Sequence, residues 1–355
     1  MQIKSKWISI LILLIILFAI AGCRGEQEKN ITISEQKIIM KIGHTQPINH
    51  PRHQSLLKFK QTVETKTNNM VEVQVYPAAQ LGSDLEQMQM VKDGRLQAMR
   101  GNQIEVAAPE LLIYTMPFLF DKLEEAHQIT RGPIGEKIAR FTQKNNIVIL
   151  ATGDVGDLRD ITNNVRPIVA PKDMQGLRMR TTPIESTVKT LEALGASVIP
   201  VDYDNLYNAL KTGVVDGQEN PLINIRTLKL EQVQKYLTII KYQYYPDPFF
   251  VNLAWYDSLE PAIKVILKEA SVEMMLISDE LIEQASNNNL ADLKKSMIVN
   301  TLTHEQRKRF VEQTKPVYDY YIGKGLFTVQ DLEEIRNAVN ESKQNYFAAG
   351  RNPIA

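Results

Sequence analysis

The sequence predicts an α/β protein built of two lobes and a long helix. Segments with the apolar period of strands take turns with segments that have the period of helices. The 355 residues are ample for two lobes of ordinary domain size. Residues 261–297 contain no Gly and no Pro after Pro261, which predicts one very long helix or two abutting helices. No period of about 20–50 residues recurs, which excludes a solenoid or a propeller.

Each predicted element rests on a local pattern. Val71, Val73 and Val75 alternate with polar residues, which is typical of a strand. Two helices begin with the spacing of a capping box, one at Ser83 and one at Thr303. The predicted strands cover 38–42, 70–76, 146–150 and 197–201. The predicted helices cover 52–65, 83–94, 183–194, 203–212, 261–297, 307–321 and 329–339. Residues from 344 onward are predicted to fray.

Residues 1–22 have the features of a secretory signal. A basic start precedes an apolar run over 7–21, which is shorter than the roughly 20 residues that a membrane-spanning helix needs. The run ends in IAGC over 20–23, the pattern of a lipobox, and Cys23 is the only cysteine of the chain. We expect a diacylated Cys23 that anchors the mature protein to the outer face of the cytoplasmic membrane, followed by a flexible tether over 23–37. A plain cleaved signal and an uncleaved anchor are the alternatives.

The charge balance argues against a nucleic-acid partner. Without residues 1–22, which contain Lys4 and Lys6, the chain has 39 basic and 41 acidic side chains. Binding to a phosphate backbone requires a basic footprint, and the sequence has no basic block. A single cysteine also has no partner for a disulfide within the chain, so the fold must be stabilised by core packing.

Two α/β lobes on an exported chain indicate a cleft that closes on a ligand. Composition alone does not separate a binding protein from a secreted enzyme. Three motifs do: TNNVRPI over 162–168, MQGLRMR over 174–180 and VDGQENP over 215–221. In this order and spacing they resemble the DctP family, the solute-binding subunits of TRAP (tripartite ATP-independent periplasmic) transporters. The resemblance extends over about 38–325.

The resemblance implies a two-lobe, periplasmic-binding-protein-like fold, with strands exchanged between the lobes and a long helix spanning both. We therefore expect five segments along the chain. They are a lipoprotein signal over 1–22, the tether over 23–37, lobe I over 38–157 plus 246–285, lobe II over 158–245 plus 286–343, and a tail over 344–355.

The resemblance also implies that Arg180, which closes MQGLRMR, forms a bidentate pair with the carboxylate of the ligand. The guanidinium fork matches a carboxylate, and the paired hydrogen bonds are charge-assisted. Arg178 is a physical competitor, because residues two apart on a strand point to the same face and only the family pattern favours Arg180. Asn220 matches a position where an amide meets the same carboxylate, although VDGQENP also fits a tight turn before a helix.

Three further residues of the second half match ligand positions of the family, each with a plainer alternative. Arg159 matches a second arginine that faces the cleft, and the alternative is a surface charge. Tyr203 matches an aromatic that packs over the ligand, and the alternative is a core residue at the start of a helix. Tyr242 falls where the chain of relatives crosses between the lobes. It would form a wall of the ligand site or offer its hydroxyl to the ligand, and the alternative is that its ring packs a hinge.

The first lobe contributes polar candidates. Asp84 and Asn102 match positions where relatives direct polar groups at ligand hydroxyls, although Asp84 could instead complement the positive end of its helix. Asn102 stands where certain sugar-acid binders have an acidic residue, which leaves the far end of the ligand open. His44 and Gln46 follow the first strand, where α/β folds tend to place ligand groups. The histidines over 44–53 lack the spacing of a zinc site, so we expect no metal and no cofactor.

The resulting hypothesis is capture of a small organic acid by lobe closure and delivery to the small and large membrane subunits of a TRAP transporter. A sugar acid such as a hexuronate is favoured; C4-dicarboxylates, sialic acid and keto acids are alternatives. A receptor that presents its ligand to a sensor kinase would use the same fold. A secreted hydrolase or lyase using His44 and Asp84 is disfavoured, because the sequence has no GxSxG elbow and no zinc signature.

Overall fold

The computed structural model of the protein describes the backbone of residues 37–348 and the side chains of 37–286 and 288–341. The predicted signal, Cys23 and the tether up to residue 36 lie outside the described residues, as do residues 349–355 of the tail. Among the described helices, none is long and apolar enough to cross a membrane.

Strands and helices alternate along the described chain, as the sequence predicts. The strands are Ile38–Gly43 (β1), Val71–Tyr76 (β2), Ala98–Arg100 (β3), Ile147–Asp154 (β4), Asp160–Asn163 (β5), Arg178–Thr181 (β6), Ser197–Pro200 (β7), Gly217–Asn220 (β8), Tyr236–Ile239 (β9), Pro246–Asn252 (β10) and Ile298–Thr301 (β11). The helices are Pro51–Lys66 (α1), Asp84–Lys92 (α2), Ile104–Ala107 (α3), Leu123–Thr130 (α4), Pro133–Ala139 (α5), Glu185–Ala193 (α6), Leu206–Lys211 (α7), Leu222–Thr227 (α8), Leu253–Asp257 (α9), Pro261–Ser296 (α10), His304–Gly323 (α11) and Val329–Ala348 (α12).

The first lobe is built on a five-stranded sheet in the order β2-β1-β3-β10-β4. β1 runs parallel to β2 and β3, whereas β10 runs antiparallel to β3 and β4. Helices α1 and α10 pack on this sheet and bury Phe59, Phe249 and Leu267 in one apolar core. The rings of Phe59 and Phe249 meet edge to face at 5.1 Å, a geometry that aromatic pairs prefer.

The second lobe is built on a six-stranded sheet in the order β11-β9-β5-β8-β6-β7. β5 runs antiparallel to β8 and β9, and the other neighbouring pairs are parallel. One apolar cluster contains Leu206, Leu237 and Leu293, and another contains Met179 and Phe310. Every residue of β5 and β8 is buried although both strands are rich in polar residues.

The chain passes between the two sheets three times. It leaves the first sheet after β4, returns after β9 to form β10, and leaves again along α10. Helix α10 is a single helix of 36 residues that packs on α1 and β4 in the first lobe and on α8 and β11 in the second. The predicted exchange of strands and the spanning helix are confirmed.

Both predicted capping boxes are present. Ser83 caps α2 together with Glu86, and Thr303 caps α11 together with Gln306. The Ser83 hydroxyl accepts from the backbone N–H of Glu86, and the Glu86 carboxylate accepts from the backbone N–H of Ser83. Thr303 and Gln306 form the same two hydrogen bonds. The two boxes therefore fix where these helices begin.

The C-terminal region differs from the expectation in two ways. Helix α12 continues to Ala348, past residue 344 where fraying was predicted. The core residues Tyr321, Ile335 and Val339 pack with Phe120 and other residues of the first lobe, although residues 286–343 were assigned to lobe II. An amphipathic helix shows in sequence which face it buries but not which lobe receives that face. The remaining lobe boundaries stay a prediction.

Candidate functional site

A narrow cavity lies between the lobes. Its volume is about 10 Å³, room for about one water molecule, so an organic acid can enter only if the lining moves apart. The first lobe contributes Gln46, Arg52, Asp84 and Asn102 to the lining. The second lobe and the crossing before it contribute Val155, Arg159, Thr182, Tyr203, Asn220 and Asn224. Six of the nine predicted ligand residues thus line one cavity, and the other three, Arg180, His44 and Tyr242, are buried outside its lining.

Arg180 is completely buried on β6. Its Nε donates to the carbonyl oxygen of Val201 at 2.8 Å, while Nη1 and Nη2 have no hydrogen-bond partner within the described residues. Burial lowers the pKa of Arg180 to about 10, Glu219 opposes this effect, and Arg159 adds to it. The side chain therefore stays charged at neutral pH. Buried polar groups are nearly always paired, so two free guanidinium nitrogens mark a place for an external acceptor.

Arg178 occupies a different environment although it belongs to the same strand. It stands at the exposed start of β6, where Nη2 lies 2.6 Å and Nε 3.1 Å from the two carboxylate oxygens of Asp216. Its backbone N–H donates to the same carboxylate at 2.9 Å. The guanidinium of Arg178 is thus occupied by a surface ion pair.

Arg159 is buried and tied to Glu219. Its Nε contacts the Glu219 carboxylate, and its Nη2 donates to the Glu219 carbonyl oxygen at 2.9 Å and to Asn220 Oδ1 at 3.2 Å. The guanidinium lies 4.4 Å from the ring centre of Tyr245, a cation–π contact. Only Nη1 has no partner in the described part of the chain. Glu219, which lies inside VDGQENP but whose role no sequence pattern indicates, compensates one of the two buried arginine charges.

Tyr242 contacts Glu219 rather than the cavity. Its hydroxyl donates to Glu219 Oε2 at 3.0 Å, and its ring meets that of Phe118 at 6.4 Å. Since Tyr242 lies on the crossing between β9 and β10, this is the environment expected of an aromatic hinge. Tyr203, by contrast, lines the cavity, and its buried hydroxyl interacts with the side chain of Gln46 from the first lobe.

Asn220 presents its amide between two neighbours. Its Oδ1 accepts from Arg159 and, at 3.0 Å, from Nδ2 of Asn224, and its own Nδ2 donates to Gln218 at 2.5 Å. Asn224, which sequence reasoning missed, also reaches across the cleft, because its Oδ1 lies 3.1 Å from Nε2 of His50 in the first lobe. The two lobes are therefore connected by a side-chain hydrogen bond beside the cavity.

Asp84 is the acidic group of the lining. It accepts from the hydroxyl of Thr45 at 3.1 Å, and burial raises its pKa to about 6. A Cβ at Gly101 would lie 3.0 Å from Asp84 Oδ1, so a side chain larger than glycine would crowd the carboxylate. Asn102 and Gln46 are buried beside it, and Gln46 Oε1 has no partner within the described residues.

Arg52 is the main residue of the lining that the sequence did not reveal. Its Nε and Nη2 lie 3.0 and 2.9 Å from the carboxylate of Asp247, while Nη1 is free among the described residues. Asp247 also pairs with Arg100, whose Nε is 2.9 Å away. A charged residue at the start of an amphipathic helix is usually solvated, so only the return of β10 with Asp247 explains why Arg52 is buried.

His44 is buried outside the lining of the cavity. Its Nε2 is 3.1 Å from Nδ1 of His53, and burial, followed by the charge of Arg52, lowers the pKa of His44 to about 2. His44 is therefore neutral, as is His50, whose Nδ1 accepts from the backbone of Arg52. These rings pair with neighbours instead of converging on one point.

Two other features of the described chain are less suited to a ligand. His127, Asp154 and Asp279 bring three possible metal ligands together, but Arg131 donates to both carboxylates, at 3.4 and 2.5 Å. A larger hollow of about 200 Å³ between α10 and β4 is mainly apolar, and its Lys268 donates to the backbone of Leu150. The buried polar groups converge on the interlobe cavity instead.

Comparison with known families decides what kind of protein carries this cleft. The family model DctP, described as bacterial extracellular solute-binding protein, family 7, matches residues 42–324. The chain belongs to this family. The resemblance seen in the three motifs is thereby confirmed, and with it the expectation of a solute-binding protein of the extracytoplasmic space.

Two relatives show how far the similarity extends. The C4-dicarboxylate-binding periplasmic protein DctP of Rhodobacter capsulatus is 28% identical over 289 residues, 80% of this chain and 86% of that protein. Protein y4mM of Sinorhizobium fredii strain NGR234 is 34% identical over 234 residues, which are 64% of this chain and 43% of that protein. The chain thus spans less than half of y4mM but most of the Rhodobacter protein.

Solved structures of two solute-binding proteins share the fold. A TRAP periplasmic solute binding protein of Polaromonas sp. JS666, bound to D-erythronate, is 27% identical with a TM-score of 0.80 over 84% of this chain and 98% of that one. The sugar acid binding protein DctPAm of Advenella mimigardefordensis, in complex with galactonate, is 25% identical with a TM-score of 0.80 over 85% and 98%. DctP-family proteins bind solutes and, in TRAP systems, work with membrane subunits.

Proposed function

We propose that this DctP-family protein captures a small hydroxylated organic acid, in the first place a sugar acid such as a hexuronate, and delivers it to the small and large membrane subunits of a TRAP transporter. The observation that carries the proposal is Arg180, which is fully buried and whose Nη1 and Nη2 have no partner within the described residues. A ligand carboxylate would satisfy both nitrogens at once. Relatives bound to D-erythronate and galactonate support this ligand class.

Capture requires the lobes to move. The cavity of about 10 Å³ is far smaller than an organic acid, and its lining comes from both lobes, so we propose that the crossings act as hinges and that closure completes the site. The closed state then binds more tightly than the open state because only closure brings the first-lobe groups to the ligand. The protein acts by binding and not as an enzyme.

The proposed location follows from residues outside the structure. The IAGC sequence over 20–23 supports acylation of Cys23 and retention in the lipid bilayer at the outer face of the cytoplasmic membrane. A lipid anchor would hold the binding protein near its membrane subunits and raise their effective concentration.

Calorimetry of the purified protein tests the proposal. We would screen uronates, aldonates, C4-dicarboxylates, sialic acid and keto acids by thermal shift, because a bound ligand stabilises the folded state by mass action. The best ligand would then be titrated into the wild type, Arg180→Met and, as a matched control, Arg178→Met. Binding that survives Arg180→Met unchanged would overturn the carboxylate clamp.

A further inference from the structure

The first-lobe side of the cavity holds a second arginine with a free nitrogen. Arg52 is only 2% exposed, lines the cavity, and has no partner for Nη1 in the described part of the chain, although its Nε donates to Asp247 Oδ2 and its Nη2 lies 2.9 Å from Asp247 Oδ1. Of the two second-lobe arginines, Arg159 lines the same cavity and has no partner for Nη1 among the described residues, whereas Arg180 is buried outside the lining. The cavity therefore has an arginine nitrogen available on each side.

Asp84 lies beside Arg52 in the same lining. The charge of Arg52 acts on the Asp84 carboxylate, and the hydroxyl of Thr45 donates to it at 3.1 Å. An ionised Asp84 can accept a hydrogen bond from a ligand hydroxyl but repels a ligand carboxylate. A protonated Asp84, or an asparagine in its place, lacks that repulsion and leaves Arg52 Nη1 open to an anion.

The sum of the buried charges around the cavity also favours a ligand with one negative charge while Asp84 is ionised. On the second lobe, Glu219 compensates one of the two buried arginines, and Asp202, which also acts on Arg180, is partly exposed and therefore more strongly screened, so one buried positive charge remains. On the first lobe, Arg52 and Arg100 are balanced by Asp247 and an ionised Asp84. The ionised site thus suits a ligand with one negative charge, and neutralising Asp84 makes room for a second.

We infer that Asp84, acting on Arg52, determines the charge of the far end of the ligand, so that the site selects a polyhydroxy monocarboxylate over the corresponding dicarboxylate. This inference rests on the proposed function, in which Arg180 holds the near carboxylate. Asp84 and Arg52 are specificity-determining residues of the same cleft.

The inference also predicts a dependence on pH. Burial raises the pKa of Asp84 to about 6; Arg52 and the Thr45 hydroxyl oppose that rise, and the carboxylates of Asp247 and Asp202 add to it. Among the groups near Asp84, His44 and His50 stay neutral because their pKa values are lowered. Discrimination against the dicarboxylate should therefore weaken as the pH falls through the pKa of Asp84.

The experiment compares ligands that differ at one carbon. D-erythronate and meso-tartrate form one pair, and D-galactonate and galactarate form another; in each pair a carboxylate replaces the terminal CH2OH group. Dissociation constants would be measured by calorimetry on the full-length protein at pH 7.5 and 5.5. The variants are Asp84→Asn, the double variant Asp84→Asn with Arg52→Gln, and the control Asp93→Asn, which removes a carboxylate from the exposed far end of α2.

For the wild type at pH 7.5 we expect the monocarboxylate of the bound pair to be favoured at least about ten-fold, since a like charge close by in a buried site is strongly unfavourable. Asp84→Asn should reduce this preference by about ten-fold or more, and the double variant should lose the gain in dicarboxylate binding. Asp93→Asn should leave the preference unchanged.

The outcomes separate the two proposals. One outcome is that a ligand pair binds and that Arg180→Met weakens this binding. If Asp84→Asn then leaves the ratio of the two dissociation constants unchanged, or if the wild type prefers the dicarboxylate, the inference about Asp84 is overturned and the proposed function stands. If no member of either pair binds, or if Arg180→Met binds them as the wild type does, the proposed function fails and the inference fails with it. The Asp84→Asn ratio decides the matter even if the double variant does not fold.

Discussion

Arg178 and Arg180 lie two residues apart on β6, yet Arg178 is held by Asp216 at the surface while Arg180 is completely buried with two unpaired guanidinium nitrogens. The alternation of a strand directs both side chains to one face, and the difference arises from depth along that face. Substitution of Arg180 therefore tests the carboxylate clamp, and the same substitution of Arg178 is the matched control.

Arg180→Met should weaken binding of the best carboxylate ligand by about 100-fold or more, because truncating one partner of a buried charged pair costs about 2–5 kcal/mol. Arg180→Lys should also bind poorly, since an ammonium lacks the planar fork. Arg178→Met should bind within about two-fold of the wild type, since exposed ion pairs contribute about 0–1 kcal/mol. Calorimetry gives all three constants, and equal losses at 178 and 180 would contradict the assignment.

Arg180→Met should also make the ligand-free protein more stable. The wild-type side chain keeps a buried charge with two unsatisfied nitrogens, and replacing such a group by an apolar one of similar length removes a desolvation cost of about 1–3 kcal/mol. We expect a higher melting temperature without ligand and a smaller shift on adding ligand. A lower melting temperature would show that Arg180 stabilises the fold.

Glu219→Gln should destabilise the second lobe. The Glu219 carboxylate accepts from Thr181 at 2.8 Å and from Tyr242 at 3.0 Å, and it pairs with Arg159. Removing its charge leaves a buried arginine without a counter-ion, for which about 3–5 kcal/mol is typical. Urea unfolding measures the loss, with Glu192→Gln on the exposed side of α6 as the control. A loss no larger than that of the control would contradict the role given to Glu219.

Asp84 should make stability depend on pH. Its pKa rises from 3.8 to about 6 on folding, so between these values the folded state keeps a proton that the unfolded state releases, and stability falls as the pH rises through this window. Asp84→Asn removes this destabilisation. The free energy of unfolding of the variant should therefore exceed that of the wild type by up to about 3 kcal/mol at pH 7.5 and by little at pH 4. Chemical unfolding at the two pH values tests this, and a constant difference would contradict it.

Cys23→Ala should release the protein from membranes. Without a thiol to acylate, the chain retains no anchor once the signal is removed, so it should move from the membrane fraction to the soluble fraction and lose labelling by a fatty-acid probe. Ligand affinity should stay unchanged, because the residues that line the proposed ligand site lie between Gln46 and Asn224. Unchanged membrane retention would favour an uncleaved anchor.

Local patterns in the sequence predicted the long or strongly periodic elements well. α10, the capping boxes at Ser83 and Thr303, and the β1–α1–β2 segment all match. β5 and β8 were missed as strands because they are four residues long and polar, and their burial depends on clusters from distant parts of the chain. A short strand without apolar alternation gives no periodic signal.

The same reasoning explains what could be predicted of the site. The match to the family motifs predicted that Arg159, Asn220 and Tyr203 face the ligand. All three line the interlobe cavity, although no local pattern in the sequence indicates this. Arg52 and Asn224 were missed because each is explained by a distant partner, Asp247 in one case and His50 in the other. Long-range pairs of this kind cannot be read from one sequence without a family pattern that includes them.

The path of the chain through both sheets has a consequence for how the protein matures after export. β10 fills the place between β3 and β4, but it is made only after β5 to β9 of the other lobe. While the polypeptide leaves the translocation channel, the first sheet therefore keeps a gap with unpaired backbone groups until residue 252 has emerged. A fragment that ends before β10 would expose the edges of β3 and β4, so we expect it to aggregate unless another protein covers those edges.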